Sequence, residues 1–213
     1  MRAVAFNGSP RKNGNTATLL QKSLEGAQSA GAGTELFHLY DYSYKGCVGC
    51  LACKLLDAKT PGRCAVRDEL TPLLEKAISA DVLIVGSPVY LGTETGATRS
   101  FAERLIYPCH TYAESPVTAS PRSFRTGLVY TMGKPESDHH ALGYDKLIER
   151  FHYYMHRAFG HCEVLVHDKA RLFDDHSKYF CPRIDAGAQR EHYEKTFPDE
   201  CRRAFEFGKT LAS

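Results

Sequence analysis

The sequence predicts an open, doubly wound α/β sheet, and three observations carry that expectation. Short apolar runs alternate with helix-period segments along the whole chain, the pattern of parallel strands joined by crossover helices. The central run of "DVLIVGSPVY" is apolar without alternation, as expected of a strand covered on both faces. Polar, glycine-containing loops follow the strands at the ends where such sheets bind ligands.

The elements follow in order. Arg2–Asn7 is a strand that stops at Gly8-Ser9-Pro10. Leu19, Leu20, Leu24 and Ala27 share one face of a helix expected from Thr16 to about Ala30, closed by Gly31 and Gly33. Thr34–Leu39 is a second strand. Tyr40–Arg67 has no period. Asp68 reads as an N-cap, with Leu70, Leu73, Leu74, Ala77 and Ile78 on one helical face. Asp81–Tyr90 holds the third strand and Thr95–Ile106 the next helix. Thr126–Thr131 is a fourth strand, Tyr144–Phe159 an aromatic-rich helix, Cys162–His167 a fifth strand, and a last helix runs from about Ala188 to Leu211. Pro108–Arg122 and Lys169–Pro182 read as loops that shape an active site or an interface. The 213 residues suit one domain, 1–213, with a cysteine-rich loop at about 45–67.

Composition excludes several classes. A formal charge of +2 is too small to argue for nucleic acid or an anionic membrane surface. No apolar stretch reaches membrane-spanning length, so no membrane partner is expected. The N-terminus enters a strand-like run without a signal-peptide layout, and eight cysteines in that setting point to reduced thiols or metal ligands in a cytoplasmic protein.

Three loops at the carboxyl edge invite chemistry. "NGSPRKNGNT" (Asn7–Thr16) lacks the G-x-G-x-x-G and G-K-S/T signatures, but it sets Ser9, Arg11, Asn15 and Thr16 just before a helix N-terminus. Unpaired N–H groups there suit a phosphate; a polar turn with a Ser/Asn helix cap is the alternative. "GSPVYLGTETG" (Gly86–Gly96) offers an aromatic and two apolar side chains, the combination a planar heteroaromatic ring needs. The third loop is Thr131–Ser137.

The segments "GSPRKNGNT", "ADVLIVGSPVYLGTETGATRSFAERL" and "CVGCLACK…KTPGRCAVRDEL" resemble the NAD(P)H-dependent FMN reductase family of the flavodoxin-like superfamily, near its iron–sulfur flavoprotein branch. The similarity covers about 1–131; beyond Pro135 only the strand and helix rhythm matches. The resemblance implies a three-layer, five-stranded parallel sheet of order 2-1-3-4-5 with non-covalent FMN. It places Ser9, Arg11, Asn15 and Thr16 on the FMN phosphate. Pro88, Val89, Tyr90, Leu91 and Gly92 fall against the isoalloxazine ring, and Thr131, Met132 and Gly133 form a third edge. It also implies a homodimer or homotetramer, with Thr95–Tyr107 packing on a partner subunit. The implied activity passes electrons from NAD(P)H through FMN to a flavin, a quinone or another small acceptor, with no protein acid or base assigned. An iron–sulfur flavoprotein that exchanges electrons with a ferredoxin-like protein, or a non-catalytic flavin-binding regulatory module, are the alternatives.

"CVGCLACKLLDAKTPGRC" separates these readings. Cys47, Cys50, Cys53 and Cys64 supply four thiols, three at C-x-x-C-x-x-C spacing, which suits a [4Fe–4S] cluster. Zinc and a thiol-packed turn stay open, and the ten-residue gap before Cys64 is longer than in the iron–sulfur flavoproteins it resembles. Elsewhere, His139-His140 cannot share a helix face. His152 and His156 have a metal-compatible spacing but no acidic partner segment. Cys109, Cys162, Cys181 and Cys201 are expected as buried, unreactive thiols.

Overall fold

The structure, a computed structural model, describes residues 1–182 and 184–213. Strands β1 (Arg2–Asn7), β2 (Gly33–His38), β3 (Val82–Tyr90), β5 (Phe124–Thr131) and β6 (Gly160–His167) form one parallel sheet in the order β2-β1-β3-β5-β6. A two-residue strand, β4 (Thr93–Glu94), folds back antiparallel onto β3. Counting only the parallel strands, this is the expected 2-1-3-4-5 order.

Helices α1 (Asn15–Ser29) and α6 (Ala186–Leu211) cover one face; α2 (Thr71–Ser79), α3 (Gly96–Ile106) and α5 (Tyr144–Phe159) cover the other, with a single turn, α4 (His139–Leu142), before α5. Because strand side chains alternate, the sheet divides its apolar residues between two cores. Val4, Phe6, Leu83, Val85 and Leu128 pack toward α2, α3 and α5. Ala3, Ala5, Val82, Ile84 and Val129 pack toward α1 and α6.

Helix α6 lies directly on α1. A Cβ on Gly208 would stand 1.7 Å from the Ser23 carbonyl oxygen, and one on Gly26 would stand 1.9 Å from that of Phe205. Only glycine permits this approach. The contact decides where the start of α6 can reach.

Several boundaries differ from expectation by one to three residues, and two of the differences have a local cause. Asp68 is not the helix N-cap: its Oδ1 accepts from Leu70 N at 3.0 Å in a preceding turn, while Oδ2 pairs with Arg104, and α2 starts at Thr71. The last helix starts two residues earlier than expected, because Asp185 caps it by accepting from Ala188 N. Among the described residues, no helix is long and apolar enough to cross a membrane.

Candidate functional site

The loops after β1, β3 and β5 meet because their strands are neighbours in register: Asn7 lies opposite Gly86, and Pro88 opposite Thr131. Hydrogen bonds then lock the loops together. Gly8 N donates to Gly86 O at 2.8 Å, the Thr95 hydroxyl to Gly8 O at 2.7 Å, and the Thr16 and Thr131 hydroxyls bond at 2.8 Å. Thr95 also caps α3 by accepting from Thr98 N.

Between them opens a cavity of about 990 Å³, at the large end of ordinary ligand sites. Ser9, Arg11, Asn15 and Thr16 line one side, Pro88, Val89, Tyr90 and Leu91 a second, and Thr131, Met132 and Gly133 a third. Gly92 does not line it. Leu91 (φ 51°) and Gly92 (φ 81°) are the two central residues of the β3–β4 hairpin, and this turn, whose twist matches the strands it joins, carries Gly92 past the wall. Leu91 is left fully exposed at the rim in a conformation unfavourable for a leucine.

The helix-cap alternative for the first loop does not hold. Gly14 precedes α1 in an extended conformation with no side chain to cap it, and the first turn holds no acid. The N–H groups of that turn therefore face the cavity without a side-chain cap. Ser9 is held by Asn7, whose Oδ1 accepts from Ser9 N at 3.0 Å.

Sequence reasoning missed much of the fourth wall. After β6 the chain crosses the cavity as a strap, Ala170–Tyr179, which together with Tyr193 of α6 supplies many of the lining residues. Its composition, "ARLFDDHSKY", has no strand or helix period, so only its irregularity pointed to it. Glu94 and Tyr130 were missed too. Both are almost fully buried, and the Tyr130 hydroxyl donates to Glu94 Oε1 at 2.6 Å, while Thr93 donates to Oε2 at 3.0 Å. Burial, reinforced by the Glu94 carboxylate, drives the Tyr130 hydroxyl far above its ordinary range, so it remains a donor. This bond pins β4 to β5, and with it the hairpin that carries Val89–Leu91.

Cys47, Cys50, Cys53 and Cys64 line a second, small pocket with Arg104. Arg104 closes the loop that bears them: its side chain is buried, it donates to Lys45 O at 3.2 Å and Val66 O at 3.0 Å on either side of the cysteine stretch, and it pairs with Asp68. Its Nε has no hydrogen-bond partner among the described residues. Burial raises the Cys53 thiol, with Lys54 opposing. Among the described residues, no three Cys, His, Asp or Glu side chains converge as ligands of a single metal ion.

The remaining histidines and cysteines take structural places. His152 Nε2 contacts Cys162 O at 2.9 Å, so the His152–His156 spacing forms no metal pair. Cys109 and Cys162 are buried, and burial pushes both thiols up to about 11. Cys181 and Cys201 are only partly covered, contrary to expectation: Cys181 lies in the loop that follows the strap, and Cys201 sits at the edge of the core between α1 and α6.

Fold and site together define a flavodoxin-like protein with a ligand cavity beyond the carboxyl ends of its central strands. The family described as NADPH-dependent FMN reductase matches residues 1–133, and the chain belongs to it. An iron-sulfur flavoprotein of Archaeoglobus fulgidus is 38% identical over 104 residues, covering 49% of this chain and 48% of that protein. The chain spans about half the length of the curated relatives it matches. The NAD(P)H:quinone oxidoreductase of Methanothermobacter marburgensis superposes with a TM-score of 0.70 at 14% identity over 100% of this chain and 98% of that one. An archaeal flavodoxin superposes with a TM-score of 0.50 at 12% identity over 100% and 96%. At these identities the two structures speak to the fold alone.

Proposed function

We propose that the protein is an FMN-dependent oxidoreductase that takes electrons from NAD(P)H and delivers them to a small acceptor such as a flavin or quinone. The observation that carries this reading is the convergence of three sheet-edge loops on one cavity, with an uncapped helix N-terminus on one side and an apolar wall on another. The residues present fit FMN. Backbone N–H groups of the first turn of α1, together with Ser9 and the Arg11 charge, suit its phosphate. Pro88, Val89 and Tyr90 offer an apolar face to its ring, and Thr131–Gly133 form the facing edge. When bound, the flavin supplies the electron-accepting chemistry. The chain's part is to hold and orient the ring, which needs the Gly8–Gly86 and Thr95–Gly8 bonds between loops, and to leave an opening for substrate. Purified protein should be yellow or should take up one FMN, and NADH or NADPH should bleach it without oxygen. Colourless protein that takes up no FMN overturns the reading.

The cysteine pocket favours a second reading, an iron–sulfur flavoprotein that also exchanges single electrons with a ferredoxin-like partner. Four thiols line one pocket, three of them from a single C-x-x-C-x-x-C stretch, a donor set that suits a cluster. Iron and sulfide analysis of anaerobically purified protein separates the readings: about four of each per chain supports the cluster, none supports the plain reductase.

A further inference from the structure

The strap is fastened by the same residues that the family resemblance assigns to the phosphate. The Asn15 side chain is held by protein partners at both ends: Nδ2 donates to Arg171 O at 3.0 Å, and Oδ1 accepts from the Tyr193 hydroxyl at 2.8 Å. Arg11 donates to the neighbouring carbonyl, Leu172 O. The residue before Arg171 is tied to the third edge of the cavity, where Ala170 N donates to Met132 O at 2.9 Å. Ala170–Leu172, the first residues of the strap, therefore bridge the β5 loop and the start of α1.

Tyr193 is built to hold this arrangement. Its ring stacks on Phe197 at 4.5 Å, and the Arg171 guanidinium lies over it at 4.9 Å. Burial raises its hydroxyl to about 12, so it stays a donor toward Asn15 at any physiological pH. Within the strap, Phe173 and Tyr179 stack at 4.2 Å, which gives it a folded core of its own. The strap and Tyr193 also lie outside residues 1–133, the part that matches the family.

We propose that Asn15 and Tyr193 are a clasp that keeps the Ala170–Tyr179 strap closed over bound flavin, and that Asn15 acts here as a strap anchor rather than as a phosphate ligand. The inference rests on the flavin reading above and goes beyond it. With Nδ2 on Arg171 O and Oδ1 on the Tyr193 hydroxyl, the amide is oriented by the strap and α6, and phosphate binding falls to the α1 N–H groups, Ser9 and the Arg11 charge. A closed strap instead contacts the cofactor as a whole and slows its escape whether or not a phosphate is present.

That difference is measurable with two ligands, FMN and riboflavin, which lacks the phosphate. Tyr193→Phe, which loses one hydrogen bond, should weaken FMN and riboflavin equally, by about 3- to 10-fold, and Asn15→Ala, which loses two, should weaken both flavins equally and by more than Tyr193→Phe does. The double variant should be little worse than Asn15→Ala alone, because that variant already breaks the Tyr193 bond. In parallel, amide hydrogen exchange across 170–179 should speed up in both variants of the flavin-free protein. A loss confined to FMN in Asn15→Ala, with Tyr193→Phe silent, makes Asn15 a phosphate ligand and overturns the clasp. Unchanged exchange across the strap in both variants also overturns it. Wild-type protein that binds neither flavin refutes the flavin reading itself, and exchange in that protein still decides whether Asn15 and Tyr193 hold the strap.

Discussion

Removing the Tyr130 hydroxyl tests how the hairpin beside the cavity is held. Tyr130→Phe leaves the aromatic packing intact and deletes one donor, the 2.6 Å bond to Glu94 Oε1. Both partners are almost fully buried, so no water replaces the lost donor and, among the described residues, the carboxylate keeps only the Thr93 hydroxyl. A hydrogen bond to a charged group is worth about 1.5–3 kcal/mol, and an unsatisfied buried acceptor sits at the upper part of that range. The expected loss is about 2–3 kcal/mol, a large share of the roughly 5–15 kcal/mol that holds a typical domain folded. With a urea slope of about 3 kcal/mol per molar, the unfolding midpoint followed by circular dichroism should fall by about 0.7–1 M. Glu94→Gln keeps an acceptor and should cost less, and the double variant should show a coupling of at least about 1 kcal/mol. A Tyr130→Phe midpoint within roughly 0.2 M of wild type, or zero coupling, would refute the idea that this pair pins the hairpin.

Other consequences are equally direct. His167 is buried at the end of β6, and burial lowers its pKa to about 4, with Asp168 opposing; Glu200 at 3.9 Å is too far to hydrogen-bond and does not reverse this. The folded state therefore refuses a proton that the unfolded chain accepts below about pH 6.5. Stability should fall as pH drops from there toward 4, by about 2 kcal/mol at pH 5, and His167→Phe should flatten that part of the urea-midpoint profile. Gly208→Ala drives a Cβ into the Ser23 carbonyl; it should cost about 3 kcal/mol in thermal or urea unfolding and raise exchange in the strap, because α6 can no longer carry Tyr193 to Asn15. Iodoacetamide at pH 7.5 should label exposed Cys47 and Cys50 in the native, metal-free protein and spare Cys109 and Cys162, a pattern that peptide mass spectrometry reads directly. Labelling of Cys109 before Cys47 would contradict the burial described above.

Much of this molecule is written locally. The apolar runs at Arg2–Asn7 and Val82–Val85, the helical faces of α1 and α2, and the glycine- and proline-marked loops follow from side-chain period and backbone chemistry. The strand order came from the family resemblance, but the alternation of strands and helices and the three loops of the cavity edge were legible from residues alone. The same holds for the four clustered cysteines, which needed only their spacing to be noticed. What the sequence by itself could not determine is pairing between distant residues. Nothing near Asn15 says that its amide is held by a carbonyl and a hydroxyl more than 150 positions away. Nothing in "GTET" says that its glutamate is buried under Tyr130. The strap has no period because it packs by its own aromatic stack and by the hydrogen bonds of Ala170–Leu172 rather than by a repeating face. Those contacts exist only once the sheet has set β1, β3 and β5 side by side and α6 has settled on α1, so the tertiary structure alone decided which polar groups stay free for a ligand and which hold the cavity shut.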